Sequence, residues 1–148
     1  MVSSIQDIIP ILQLSIAPVI LISGIGLLLL SLTNRLGRVI DRIRLLVKEK
    51  KDCADEQIVA LLNHQIFIMY HRAKIIRFSI AMAGLSVLFA GLLIFFLFVL
   101  SLTGINLVSL IILIFSLCMV SLIISTVAFL VDVELNLRAL KVEIETSV

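Results

Sequence analysis

The side chains best equipped for chemistry sit between residues 35 and 44. Arg35, Arg38, Asp41, Arg42 and Arg44 are the densest charged cluster in the chain. On a helix, Asp41 lies three residues from both Arg38 and Arg44, so local ion pairs are available. Asp132 and Glu134 follow a long uncharged stretch and offer partners for Arg35 or Arg77 on other helices. Two kinds of chemistry are open to such a cluster. One is topological anchoring with attraction of anionic lipid headgroups, worth about 1 kcal/mol per cation. The other is an anion or phosphate site, or a charged gate.

Other reactive groups point nowhere comparable. His64 and His71 are the only histidines, and seven residues of helix separate them by about 10 Å. They cannot share a metal ion, and no Cys or acidic residue completes a ligand set at helical spacing. Gly24-Ile25-Gly26 lacks the third glycine of a dinucleotide fingerprint, and there is no phosphate-loop sequence. No Ser or Cys has an activating base placed beside it. The expectation is no metal, no cofactor and no enzymatic activity. Cys53 and Cys118 fall too far apart to pair. Cys118 reads as a buried structural thiol and Cys53 as an incidental exposed one.

A face of small and polar residues is the second candidate. Gln13, Ala17, Gly24 and Ser31 share one side of a helix, and Arg35, Arg38 and Arg42 continue it. Small residues let helix backbones approach in lipid, which makes this a packing face. In a homo-oligomer the same face would line a water-accessible path with an arginine ring at its mouth. Ser79, Ala83, Ser86 and Ala90, and Cys118, Ser121, Ser125 and Ala128, form similar faces that read as packing surfaces. Neither of these two faces holds an ionisable residue, which argues against a proton pump or coupled transporter.

The elements that must position these groups follow from where charge is absent. The chain has 148 residues, is 61% hydrophobic and only 15% charged. A water-soluble fold of that size has too much surface to cover with so few charges. Ile8 to Asn34 is a charge-free run of 27 residues, and Phe78 to Val131 one of 54. About 20 apolar residues span a bilayer. The second run is broken by the turn formers Thr103-Gly104-Ile105-Asn106, so three spanning helices are predicted: 8–34, 78–102 and 107–131, with a turn at 103–106. Both faces of each run are apolar, unlike barrel strands. Pro10 and Pro18 are expected to kink or end local helix, with part of Ile5–Leu14 along the outer interface and the span proper beginning near Ser15. There is no basic n-region, and Pro18 directly follows Ser15-Ile16-Ala17, so the first span is expected to be retained.

All twelve Lys and Arg lie in 35–77 or at Arg138 and Lys141. The positive-inside rule then places 35–77 and the tail 132–148 in the cytosol and the amino terminus outside. Segment 35–77 reads as a helical hairpin. Leu36, Ile40, Ile43 and Val47 form one stripe, with Val39 and Leu46 beside it. Ile58, Leu62, Met69, Ala73 and Ile76 form the other. Acidic residues in the Asp52–Asp55 turn suit a helix start. The tail continues the third span through Val133, Leu137, Leu140 and Ile144. Five acids among the basic residues of the hairpin argue against nucleic-acid binding.

Ser15-Ile16-Ala17-Pro18, Ser23-Gly24-Ile25-Gly26 and Leu32-Thr33-Asn34-Arg35-Leu36-Gly37-Arg38-Val39-Ile40-Asp41-Arg42-Ile43-Arg44 resemble the signature of the bacterial domain-of-unknown-function family 2721. The resemblance covers roughly Ile8 to Glu145, and the arginine-rich string is its specific part. It implies a small three-span membrane protein and transfers no catalytic or ligand residue. The reading is therefore an all-α integral membrane protein of the bacterial inner membrane, with a cytosolic antiparallel hairpin and a cytosolic C-terminal helix. Its expected partners are the bilayer, anionic headgroups and further copies of itself.

Overall fold

A computed structural model describes residues 5–53, 55–103 and 108–147, with side chains for residues 16–53, 55–102 and 108–135. The described residues form three helices: α1 (Ile5–Asp52), α2 (Glu56–Thr103) and α3 (Val108–Ser147). Each contains a stretch long and apolar enough to cross a membrane. At 48, 48 and 40 residues, each also carries more than the about 20 residues a span requires. The predicted turn at 103–106 and the Ile5–Leu14 side chains lie outside the described residues, apart from the helical Thr103 backbone.

The prolines do not interrupt α1, which runs through both Pro10 and Pro18. A spanning helix tolerates the lost backbone bond when local adjustment or neighbours satisfy the freed carbonyl. The start of α2 is capped as its acidic residues suggest. The Asp55 carboxylate accepts from the Gln57 N–H at 2.9 Å, and its carbonyl accepts from Val59 N–H at 3.0 Å. This is N-cap geometry. Lys50 and Lys51 close α1, and Glu56 opens α2, each matching the helix dipole.

The buried positions repeat every seven residues. In α1 they are Ile25, Leu32, Val39 and Leu46. In α2, Leu62, Ile76, Ala83 and Ala90 mark one row, and Arg72, Ser79, Ser86 and Leu93 the other. In α3 they are Ile114, Cys118, Ser121, Ser125 and Asp132. A seven-residue repeat keeps one seam facing its partners at 3.5 residues per turn. This corrects the α1 stripe expected from the sequence. Ile40 and Val47 are exposed, while Val39 and Leu46 take the buried places. A wheel drawn at 3.6 residues per turn drifts about 20° per heptad, enough to select the neighbouring column. In α2, Ile58 of the predicted stripe is exposed, while Leu62 and Ile76 are buried.

The chain divides into two compact units. The first combines residues 1–29 with 81–124. Its core is built of Ile25, Ala83, Ser86, Ala90, Leu93, Ile114, Cys118 and Ser121. The second combines residues 30–80 with 125–148. Its core holds the larger Leu32, Leu46, Leu62 and Ile76, and also the charged Arg72 and Asp132.

Candidate functional site

The seam between α2 and α3 carries polar pairs at heptad intervals. In the first unit, Ser86 Oγ donates to the Cys118 carbonyl at 3.0 Å, and Cys118 Sγ donates back to the Ser86 carbonyl at 3.3 Å. In the second, Ser79 Oγ donates to the Ser125 carbonyl at 2.7 Å, and Ser125 Oγ returns the bond to Ser79 at 2.8 Å. Seven residues before Ser79 and seven after Ser125 stand Arg72 and Asp132. Arg72 Nε donates to Asp132 Oδ1 at 3.5 Å. Antiparallel helices with a common repeat bring such positions opposite each other in turn. The register that pairs the serines therefore also pairs the arginine with the aspartate. Both small-residue faces predicted to pack do so: Ser79, Ala83, Ser86 and Ala90 are buried, as are Cys118, Ser121 and Ser125, while Ala128 is half-buried.

Asp132 is fully buried, and a second cation reaches it from α1. Arg35 Nε stands 2.9 Å from Oδ2. The N–H is not aimed along that line, so Oδ2 is ion-paired but not hydrogen-bonded. The Arg35 guanidinium also lies over the Phe129 ring, 5.5 Å from its centroid. Two guanidiniums thus hold one buried carboxylate and tie all three helices together. A buried charge without such partners would cost several kcal/mol.

Next to this triad a cavity of about 350 Å³ is lined by Arg35, Arg38, Arg42 and Arg72, with Val39 and Met69. Four guanidiniums surround it, and Asp132 neutralises no more than one. Among the described residues, Arg38 and Arg42 have no acidic partner. Such a space favours an anion, because guanidiniums hold phosphate and carboxylate through paired hydrogen bonds.

Of the residues singled out in the sequence, Arg35, Arg38 and Arg42 meet here, and Asp132 pairs with Arg35 as foreseen. Arg77 is not its partner. Arg72 takes that role, and Arg77 stands five residues further along, about 140° around the helix. Glu134 is exposed, two residues off the buried face. Asp41 and Arg44 form an exposed i,i+3 pair at 3.8 Å. Arg72 was missed because it resembles the other charges of its segment. The signal that identifies it is its heptad distance from Ser79 and Ser86. The face of Ala17, Gly24 and Ser31 is exposed, with open space beside Gly24. It is not the surface that α1 packs against its own chain. Gln13 lies outside the residues with described side chains. Cys118 is buried, while Cys53 is half-buried rather than exposed.

On the other side of the α1–α2 seam a groove of about 490 Å³ has an apolar floor of Leu36, Ile40, Ile43 and Ala73. Its rim is Arg44, Tyr70, Lys74 and Arg77. Lys74 Nζ lies 5.0 Å from the Tyr70 ring centroid. Among the described residues, no acidic side chain lines this groove.

Residues 15–142 match the family model described as "Protein of unknown function (DUF2721)". No curated protein and no solved structure matches the chain.

Proposed function

The chain belongs to the DUF2721 family of proteins of unknown function, and from that premise we propose a non-enzymatic, self-associating module of the bacterial inner membrane that recognises anionic headgroups. The observation that carries this reading is the cavity of Arg35, Arg38, Arg42 and Arg72, where, among the described residues, four guanidiniums stand beside the one carboxylate of Asp132. Residues 35–77 form its cytosolic hairpin and residues 132–148 its cytosolic tail, with the amino terminus outside. The one-sided distribution of lysine and arginine supports that orientation. Self-association is supported by large apolar side chains exposed in the charged hairpin, among them Leu45, Leu61 and Phe67. Lipid would not cover them there, so further copies of the chain are the proposed cover.

The test counts phospholipids retained on the purified full chain by native mass spectrometry. Phosphatidylglycerol should be retained over phosphatidylcholine. Arg38→Gln with Arg42→Gln should weaken phosphatidylglycerol binding at this cavity about 30-fold, at about 1 kcal/mol per arginine. Equal retention of the two lipids by the unaltered protein would refute headgroup recognition. A second reading, a homo-oligomeric ion channel, draws on the exposed Ala17–Gly24–Ser31 face, which the chain's own helices leave uncovered. Reconstituted protein would then pass ions, and Ser31→Leu would change its conductance. A silent bilayer containing assembled oligomers would eliminate that reading.

A further inference from the structure

The groove beside Tyr70 differs from the arginine cavity in kind. Its floor is aliphatic, and its cations sit only at the rim. Such a surface matches a molecule that is apolar along its length and anionic at one end. Its volume of about 490 Å³ falls among sites that take one small molecule, about 300–1,000 Å³. It is small for a folded partner. A second copy of the chain would bring a like-charged rim against Arg44, Lys74 and Arg77.

The position of the groove in the sequence selects the source of the amphiphile. Arg77 directly precedes the charge-free run that begins at Phe78, and Leu36 comes two residues after the first run ends. Tyr70 is eight residues, or about 12 Å of helix, before Phe78. The groove therefore starts at the bilayer boundary and leads away from it. The geometry points to an occupant drawn from the bilayer: one anionic phospholipid, with an acyl chain along Leu36, Ile40 and Ala73 and its phosphate at Lys74 and Arg77. Arg44 supplies a third cation, which among the described residues forms an exposed pair with Asp41. This site rests on the membrane reading above but not on the arginine cavity, with which it shares no residue.

The chain supplies its own reporter. Tyr70 is the single tyrosine, and there is no tryptophan. Its emission therefore comes from the rim of this groove. The experiment places the full-length protein in vesicles of phosphatidylcholine and phosphatidylglycerol. Bromine is carried on the acyl chains of one lipid or the other, and Tyr70 emission is measured. Bulk chains keep their bromines inside the bilayer, away from Tyr70, so strong quenching requires a chain in the groove. Brominated phosphatidylglycerol should quench several-fold more than brominated phosphatidylcholine. Ala73→Phe, which fills the floor, should abolish that difference. So should Lys74→Gln with Arg77→Gln, which decides the matter if Ala73→Phe folds poorly. Arg38→Gln with Arg42→Gln should leave the quenching intact.

Protein that fails to float with the vesicles would overturn the membrane reading and the groove together. Protein that floats but shows equal or no quenching by the two lipids would overturn the groove alone. Loss of the difference in the Arg38/Arg42 variant, with retention in both groove variants, would move the lipid to the arginine cavity and refute this site.

Discussion

The three polar pairs along the α2–α3 seam occupy equivalent heptad places yet are built from different chemistry. Ser86–Cys118 and Ser79–Ser125 lie in stretches without charge and join through hydroxyl or thiol donors to backbone carbonyls. Arg72–Asp132 lies just past the end of the uncharged sequence and joins through an ion pair. One buried row of α2 changes in step. Ala83 and Ala90 accompany the first kind, while Leu62 and Ile76 hold the same row in the charged segment. Lipid offers no hydrophobic drive for helices to meet, so close approach and hydrogen bonds must hold them. Beyond the lipid, apolar burial becomes favourable at about 25 cal/mol per Å², and larger side chains pack instead. One register can therefore serve two solvents if the side chains at the seam change where the solvent does.

The ion pair gives the largest expected effect. Asp132→Ala leaves Arg35 and Arg72 facing each other without the carboxylate between them. Removing one partner of a buried pair costs about 3–5 kcal/mol. Thermal unfolding in neutral detergent, followed by helical circular dichroism, should show the largest fall of any variant discussed here. Asp132→Leu with both Arg35→Met and Arg72→Met should recover much of the loss, because apolar side chains of similar volume often replace a whole buried ion-paired set at little cost. If Asp132→Ala unfolds no earlier than the unaltered protein, the seam does not depend on charge beyond the apolar stretches, and the contrast collapses.

Leu46→Ala sharpens the contrast. Leu46 is 2% exposed and belongs to the seam of the charged segment. The expected loss is about 2–5 kcal/mol from transfer and cavity terms. Val47→Ala, one residue along but exposed, should cost less than 0.5 kcal/mol, roughly the range of surface changes. Similar losses from the two would mean that the buried column is not the one identified by the seven-residue repeat.

Much of this architecture is legible before any coordinates. The two charge-free runs predict three spans, and α1, α2 and α3 carry them. Asp55 reads as a helix start and caps α2. The Ser79–Ala90 and Cys118–Ser125 faces read as packing surfaces and are buried. The candidate site is harder to read. Arg35 and Asp132 can be paired from their depth in the chain, but Arg72 sits among exposed His71 and Lys74 and looks like another solvated charge. Only the register that α2 and α3 share separates it from Arg77. The buried column of α1 escapes for a related reason. Leu36, Ile40, Val39 and Leu46 are equally apolar choices, and the neighbours packed against α1, which a single helix does not reveal, decide among them.

The smallest effect bears most directly on the solvent argument. Ser79→Ala and Ser125→Ala each remove one hydroxyl from a reciprocal pair. In water-filled reasoning, losing a buried bond and leaving a carbonyl unpaired would cost about 1–3 kcal/mol. Within a membrane, measured interhelical bonds average only about 0.6 kcal/mol, because helices that come apart in lipid find other partners. The carbonyls concerned are already bonded within their own helices, which lowers the cost of losing the hydroxyl further. Each serine variant should therefore fall well short of Leu46→Ala in the same unfolding measurement. Ser79→Leu should be worse than Ser79→Ala, because the fully buried position has no room for a larger side chain. That ordering distinguishes close packing from hydrogen bonding as the cause of adhesion. If Ser79→Ala proved as damaging as Ser79→Leu, the hydroxyl rather than the small volume would hold α2 against α3.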